Sequence, residues 1–172
     1  MKLKEAAKIN PNAIIVNSGI LFDVFNPDVE DIKIEDIAHS LSNICRYGGH
    51  SPKFYSVAQH CVICSYEPGS FQEQLEFLMH DASEAYLTDM PRPIKKNMLN
   101  YIELEDNLLE IIFNKFKLNF PLSNKVHKVD DSVLKFEYSV FFEKKNKHFD
   151  FWSPEHAKKM FLNRYYELIE IL

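Results

Sequence analysis

Cysteine, glycine and tryptophan are all scarce in this chain, at 3, 4 and 1 residues. The three cysteines stand at 45, 61 and 64. An odd, low count excludes a disulfide scaffold and points to a reducing interior. So few glycines argue against a loop-rich β-sandwich. No apolar run approaches the ~20 residues of a membrane span. The N-terminal Met-Lys-Leu-Lys-Glu-Ala-Ala-Lys has no signal-like apolar stretch. The expectation is a cytoplasmic protein with no membrane partner. Positive charge is short as well. The formal net charge is −5, and without clustered Lys and Arg the chain is not expected to grip nucleic acid. A small anionic substrate needs only a local positive site.

What is present suits one globular domain over residues 1–172, with apolar residues at 46% and 14 Phe among them. Residues 1–12 are polar. Residues 13–16 and 20–25 are β-rich runs on either side of Asn17-Ser18-Gly19, which predicts a hairpin within 13–25. From 32 the period changes. Ile34, Ile37, Ala38, Leu41 and Ile44 recur at three and four, as in an amphipathic helix. Ser56 is placed to cap a helix carrying Val57, His60, Cys61 and Cys64. Further helices are expected over about 71–87, ended by Pro91 and Pro93, over 97–117, over 126–145 with Val129, Val133, Phe136, Val140 and Phe141 inward, and from Ser153-Pro154 onward with Ala157, Phe161, Tyr165, Leu168 and Ile169 inward. Lys144 to Lys147 reads as a solvated break. The predicted fold is mostly α: a helical bundle of five or six helices over 32–170, with a small N-terminal β-hairpin.

Four residues form the strongest chemical set: His60, His80, Asp81 and Asp130. Each falls on an expected helix, beside apolar residues that should face the core. Burying such groups is costly unless they are paired or bound to metal. Two imidazoles with two carboxylates suit Zn, Mn, Fe or Co. A lone core histidine is the ordinary alternative. Glu84, Asp89 and Lys95 follow His80-Asp81 in one short run and weigh against it.

The segments Tyr55-Ser-Val-Ala-Gln-His60, Leu78-Met-His80-Asp81-Ala-Ser-Glu84-Ala-Tyr-Leu-Thr-Asp89-Met-Pro91-Arg-Pro93-Ile-Lys95 and Val126-His-Lys-Val-Asp130 together resemble the HD-domain phosphohydrolases. They look most like the branch of bacterial 5′-deoxynucleotidases and phage deoxynucleotide phosphohydrolases. The stretch around Arg46-Tyr47-Gly48-Gly49-His50 is similar to a form found in small HD proteins. The resemblance spans about 20–170. It implies that His60, His80, Asp81 and Asp130 bind a divalent metal, one of Mn, Co, Zn, Fe or Mg. Asp131 would be the solvent-side neighbour. Glu84 and Asp89 match carboxylates near the scissile phosphate, Arg46 a phosphate-contacting arginine, and Tyr47 a position often held by Trp. A homo-oligomer is also compatible with it.

The chemistry follows from the residue types. A divalent ion lowers the pKa of water and neutralises phosphoryl charge. Glu84, one turn beyond His80, is placed to take a proton from the attacking water or to hold that water in line, and Asp89 to act as a second base, to protonate the leaving oxygen or to join Glu84 in binding a second metal. Arg46 offers a planar fork for phosphate, and Lys95 a second cation at the rim. The expected activity is a metal-dependent phosphohydrolase of (deoxy)nucleotides, a 5′-nucleotidase releasing phosphate from nucleoside monophosphates. The alternatives are a deoxynucleoside triphosphate phosphohydrolase, a nucleotide-binding regulatory module with little turnover, and a purely structural metal. Cys61-x-x-Cys64 has no second pair and reads as core packing. His50, after two glycines, reads equally as a phosphate or second-metal contact and as a plain loop residue, His39 reads as structural, and His127, His148 and His156 as surface residues.

Overall fold

The computed structural model describes residues 10–143 and 148–172. Residues 1–9 and the Lys144–Lys147 cluster lie outside the described residues. The hairpin forms where expected. Strand β1 (Ala13–Ile15) pairs antiparallel with β2 (Leu21–Asp23), and Gly19 takes φ +85° in the turn between them.

Among the described residues, six helices of nine to eighteen residues make the body of the molecule. They are α1 (Ile34–Asn43), α2 (Val57–Ser65), α3 (Phe71–Met79), α6 (Leu99–Lys115), α7 (Asn124–Phe141) and α8 (Pro154–Ile171). Two short helical turns, α4 (Glu84–Leu87) and α5 (Arg92–Lys95), lie between α3 and α6. The starts are written in the sequence. Ser56, Ser70, Ser123 and Ser153 each accept a backbone N–H at a helix N-terminus, and Ser70 forms a reciprocal capping box with Glu73.

Helix α2 is the centre of the packing. It contacts α1, α3, α7 and α8, and Val57, Ala58, Gln59, His60, Cys61, Val62, Cys64 and Ser65 are all buried. A helix apolar on every side belongs in a core. Phe22, Ile37, Leu41, Leu78, Met79, Ile112, Phe113 and Phe161 close around it. At the far end, Arg164 donates to the Ser65 carbonyl at 2.9 Å and to Gln74 at 2.7 Å, which ties α8 to α2 and α3.

Three expectations are corrected. The helix expected over 71–87 is interrupted. It stops at Met79, and His80 to Ser83 form a turn held by i→i+3 bonds, Ala82 N–H to Met79 and Glu84 N–H to Asp81. Thr88, at φ +87°, ends α4 before the prolines are reached, so Pro91 and Pro93 begin α5 and do not terminate a longer helix. On α7 the inward register runs through Val126, Val133, Glu137 and Phe141, while Phe136 is exposed. Ile169 is likewise exposed on α8, and the inward face there is Ala157, Phe161, Tyr165 and Leu168. No helix among the described residues is long and apolar enough to cross a membrane.

The capping box gives a direct test. Ser70→Ala should lower unfolding free energy by about 1 kcal/mol in urea titration with an unchanged slope, because it removes the acceptor for the Glu73 amide.

Candidate metal centre

Helix α2 carries His60 into the core, the turn after α3 delivers His80 and Asp81, and the first half of α7 brings Asp130. The four groups meet. His60 Nε2 lies 3.1 Å from Asp130 Oδ1 and 3.9 Å from Asp81 Oδ2. His80 Nε2 lies 3.3 Å from Asp81 Oδ1 and 3.9 Å from Asp130 Oδ1. All four separations fit within the ~4.2 Å that two donors on one ion can span. The imidazoles stand behind, fully buried or nearly so, and the two carboxylates face outward, each with 18% of its side chain accessible.

The outer nitrogens fix the ring orientation. His80 Nδ1 donates to the Phe77 carbonyl at 2.7 Å, which turns Nε2 toward the carboxylates. That Nε2 is buried and has no hydrogen-bond partner. His60 Nδ1 donates to Glu137 Oε1 at 2.6 Å. An imidazole that gives its far N–H to a carboxylate or carbonyl is the usual support for a metal ligand. An orphaned lone pair facing two anions is repulsive unless a cation or proton lies between them. The residues present therefore suit a metal ion. The donor atoms of His60, Cys64 and His80 lie within 4.8 Å of one another, as do those of Cys61, His80 and Asp81, so this buried cluster could hold one.

Glu137 is the residue that sequence reasoning missed. It is fully buried, and besides His60 it accepts the Tyr55 hydroxyl at 2.6 Å and the Tyr47 hydroxyl at 2.7 Å, with Arg46 Nε at 3.7 Å. A signal was there to be read. Positions 126, 130, 133, 137 and 141 follow the 3–4 spacing of one helix face, and two of those five are carboxylates. Burial alone would raise the Glu137 carboxyl, but the His60 ring, Arg46 and Tyr55 outweigh it and hold it near about 2.

The remaining expected residues fall around a cleft of about 910 Å³ above the cluster. Arg46, Tyr47, Asp81, Glu84, Asp89, Lys95 and Asp130 all line it, and Pro91 and Pro93 form part of its wall. Arg46 is buried and reaches Asp81 at 3.3 Å. Tyr47 holds a left-handed backbone, φ +58°, just before Gly48 and Gly49, which are left-handed too. Lys95 lies 3.5 Å from Glu84 and 2.9 Å from Glu105. Burial, with the charges of Asp81 and Asp89, pushes the Glu84 carboxyl well up, and its Oε2 is buried with no partner. Burial also raises Asp89, with Arg46 opposing and Asp81 adding to the effect. Arg92, outside the expected set, bridges Asp130 at 2.5 Å and the exposed Asp131 at 2.7 Å. His50, His127, His148 and His156 are exposed, and His39 lines a second recess beneath the hairpin.

The fold and the cluster define a helical protein with a buried His/Asp/Cys donor set under an open cleft. It belongs to the family of the uncharacterized protein YfdR of Escherichia coli (strain K12). The two are 37% identical over 171 residues, covering 87% of this chain and 90% of YfdR. The uncharacterized protein RCAP_rcc00048 of Rhodobacter capsulatus is 36% identical over 110 residues, 59% of this chain and 56% of that protein. No protein-family model matches the chain.

Two predictions follow from the donor geometry. Burial pulls the His80 imidazole down, yet Asp81 and Asp130 outweigh it and hold it at about 9. The metal-free ring therefore carries a proton at pH 7 that a metal must displace. Calorimetric titration of Zn or Mn in buffers of different ionisation heat should register proton release, with apparent affinity rising as pH climbs from about 6 toward 9. Glu137→Gln turns an acceptor into a donor facing the His60, Tyr47 and Tyr55 donors. Metal affinity, measured by chelator competition, should fall about 10–100-fold while the helical circular dichroism persists.

Proposed function

We propose that this protein is a metal-dependent phosphohydrolase acting on deoxynucleotides, most simply a 5′-nucleotidase that releases inorganic phosphate from nucleoside monophosphates. The observation that carries the reading is the meeting of the donor cluster with a cleft that has two chemical ends. Asp81, Asp130, Arg46 and Glu84 lie at its floor, and Tyr47, Met90, Pro91, Pro93, Tyr138 and Phe142 supply apolar and aromatic wall. The volume lies within the range of small-ligand clefts, ~300–1,000 Å³. An anion at the floor and a flat ring against the wall describe a nucleotide. The resemblance of the His60, His80-Asp81 and Asp130 segments to HD-domain phosphohydrolases supports the same reading.

The charge balance says why a cation is needed. Four basic side chains line the cleft (Arg46, Arg92, Lys95 and Lys135), against five acidic ones (Asp81, Glu84, Asp89, Asp130 and Glu143). Three of the basic groups are already paired with carboxylates. A phosphate entering the cleft meets the Asp81 and Asp130 carboxylates at its floor, which repel it. His60, His80, Asp81 and Asp130 would hold a divalent ion, which when bound supplies charge neutralisation and lowers the pKa of water.

The chain's own residues supply the rest. Arg46 is positioned to hold a phosphate oxygen through its planar fork. Glu84, its carboxyl raised by burial and by the charges of Asp81 and Asp89, takes the proton of the attacking water. The new P–O bond forms as the P–O5′ bond breaks, and Asp89 gives its proton to the departing O5′. Carboxyls tuned upward are suited to both duties. Lys95 steadies Glu84 through the 3.5 Å contact and anchors it to Glu105.

The test is a screen of deoxynucleoside mono- and triphosphates against Mn, Co, Zn and Mg, with products resolved by chromatography. Phosphate and nucleoside from a monophosphate are expected. Polyphosphate from a triphosphate would redirect the substrate, and tight binding without turnover across all four metals would replace the enzyme by a binding module. Asp81→Ala should abolish activity with the fold retained; full activity in that variant would overturn the mechanism. Glu84→Gln should lower kcat by about 10²–10⁴-fold with metal affinity retained.

A further inference from the structure

Cys61 and Cys64 are both buried on α2, but they stand differently toward the donor cluster. Cys64 follows His60 by one helical turn, so the two side chains share a face. Histidine and a second ligand at i and i+4 form a familiar chelating pair on one helix. Cys64 Sγ lies 3.5 Å from His60 Nε2, the same nitrogen that meets Asp130 at 3.1 Å. Two donors on one ion, nitrogen at ~2.0 Å and sulfur at ~2.3 Å, are separated by about 3.5 Å at a tetrahedral angle. The donor atoms of His60, Cys64 and His80 are mutually within 4.8 Å. An independent observation points to a ligand at the same place: His80 Nε2, on a side chain only 5% exposed, is buried and has no hydrogen-bond partner. Cys61 Sγ is 4.0 Å from Asp81 Oδ2, and its donor atom lies within 4.8 Å of those of His80 and Asp81, so the two thiols differ in which donors they approach: Cys64 the imidazole of His60, Cys61 the carboxylate of Asp81.

We propose that Cys64 is a sulfur ligand of this centre, joining His60, His80 and the carboxylates in a mixed nitrogen, oxygen and thiolate site. As the Sγ–metal bond forms, the thiol proton passes to solvent. A thiolate in the set changes the class of ion. It favours zinc, cobalt and ferrous iron over magnesium, calcium or manganese, which prefer all-oxygen surroundings. The proposal rests on the reading of the cluster as a metal centre and not on the reaction assigned to it.

Cobalt reports a sulfur ligand directly. Metal-free full-length protein titrated with Co(II) should develop a near-ultraviolet thiolate-to-cobalt charge-transfer band. The band should be lost in Cys64→Ser and kept in Cys61→Ser. Zinc retention against a competing chelator should fall about tenfold or more in Cys64→Ser, in the range by which altered surroundings shift metal sites, with manganese affinity unmoved. X-ray absorption of the zinc-loaded wild-type chain needs no substitution and should require one sulfur in the ligand shell. Cobalt bound without the band, a band that survives Cys64→Ser, or a zinc shell without sulfur would each overturn the assignment and reduce the 3.5 Å contact to an S–H to nitrogen hydrogen bond. Those outcomes leave the metal centre standing, whereas failure to bind any of these ions would remove both.

Discussion

A single buried carboxylate orders the site. Glu137 has no solvent exposure, and it accepts hydrogen bonds from His60, Tyr47 and Tyr55 while Arg46 approaches the same group. An uncompensated charge there would be severely destabilising. With three donors and a guanidinium around it, the charge becomes the reason four side chains hold one arrangement. His60 is turned so that Nε2 points to Asp130. Tyr47 is drawn to the cleft wall in a left-handed backbone that costs a non-glycine residue of order 1–3 kcal/mol. Arg46 is held between the buried carboxylate and Asp81. One residue thus links the ring that would hold metal to the side chains that would meet substrate.

The second constraint is the break after Met79. A continuous helix would carry His80 and Asp81 on adjacent sides of a cylinder. The turn at 80–83 instead lets His80 reach back to Phe77 through Nδ1 and lets Asp81 lie between the two imidazoles and Arg46. The same turn buries Glu84 with one oxygen unpaired. Several polar groups share a small volume only because each has a fixed partner or an opening toward the cleft. Those in the site that lack a hydrogen-bond partner are His80 Nε2, Glu84 Oε2 and Arg46 Nε.

The helical class, the hairpin and the six long helices could be read from composition, periodicity and caps. Ser56, Ser70, Ser123 and Ser153 mark starts because a hydroxyl at that position satisfies an amide that has no other partner. The His60, His80, Asp81 and Asp130 set could be read because polar groups stood in apolar surroundings and nearby carboxylates followed. Glu137 escaped because an acidic residue on a helix is ordinarily solvated, and a neighbouring Phe136 offered a more plausible inward residue. The nearness of Cys64 to His60 escaped because a buried thiol packs like any small apolar group until its neighbours are known.

By itself the chain determined that long helices form and roughly where they begin, and it marked His60, His80, Asp81 and Asp130 as polar groups set among apolar residues, since these follow from local hydrogen bonding and hydrophobic period. Only the tertiary structure decided that α2, the turn after α3 and α7 converge, that the turn replaces one helical segment, and that Glu137 and Cys64 stand at the same centre. Convergence depends on packing between segments 20 to 77 residues apart, as in the contacts of His60 with His80 and Glu137, and no local pattern encodes a distance across the core.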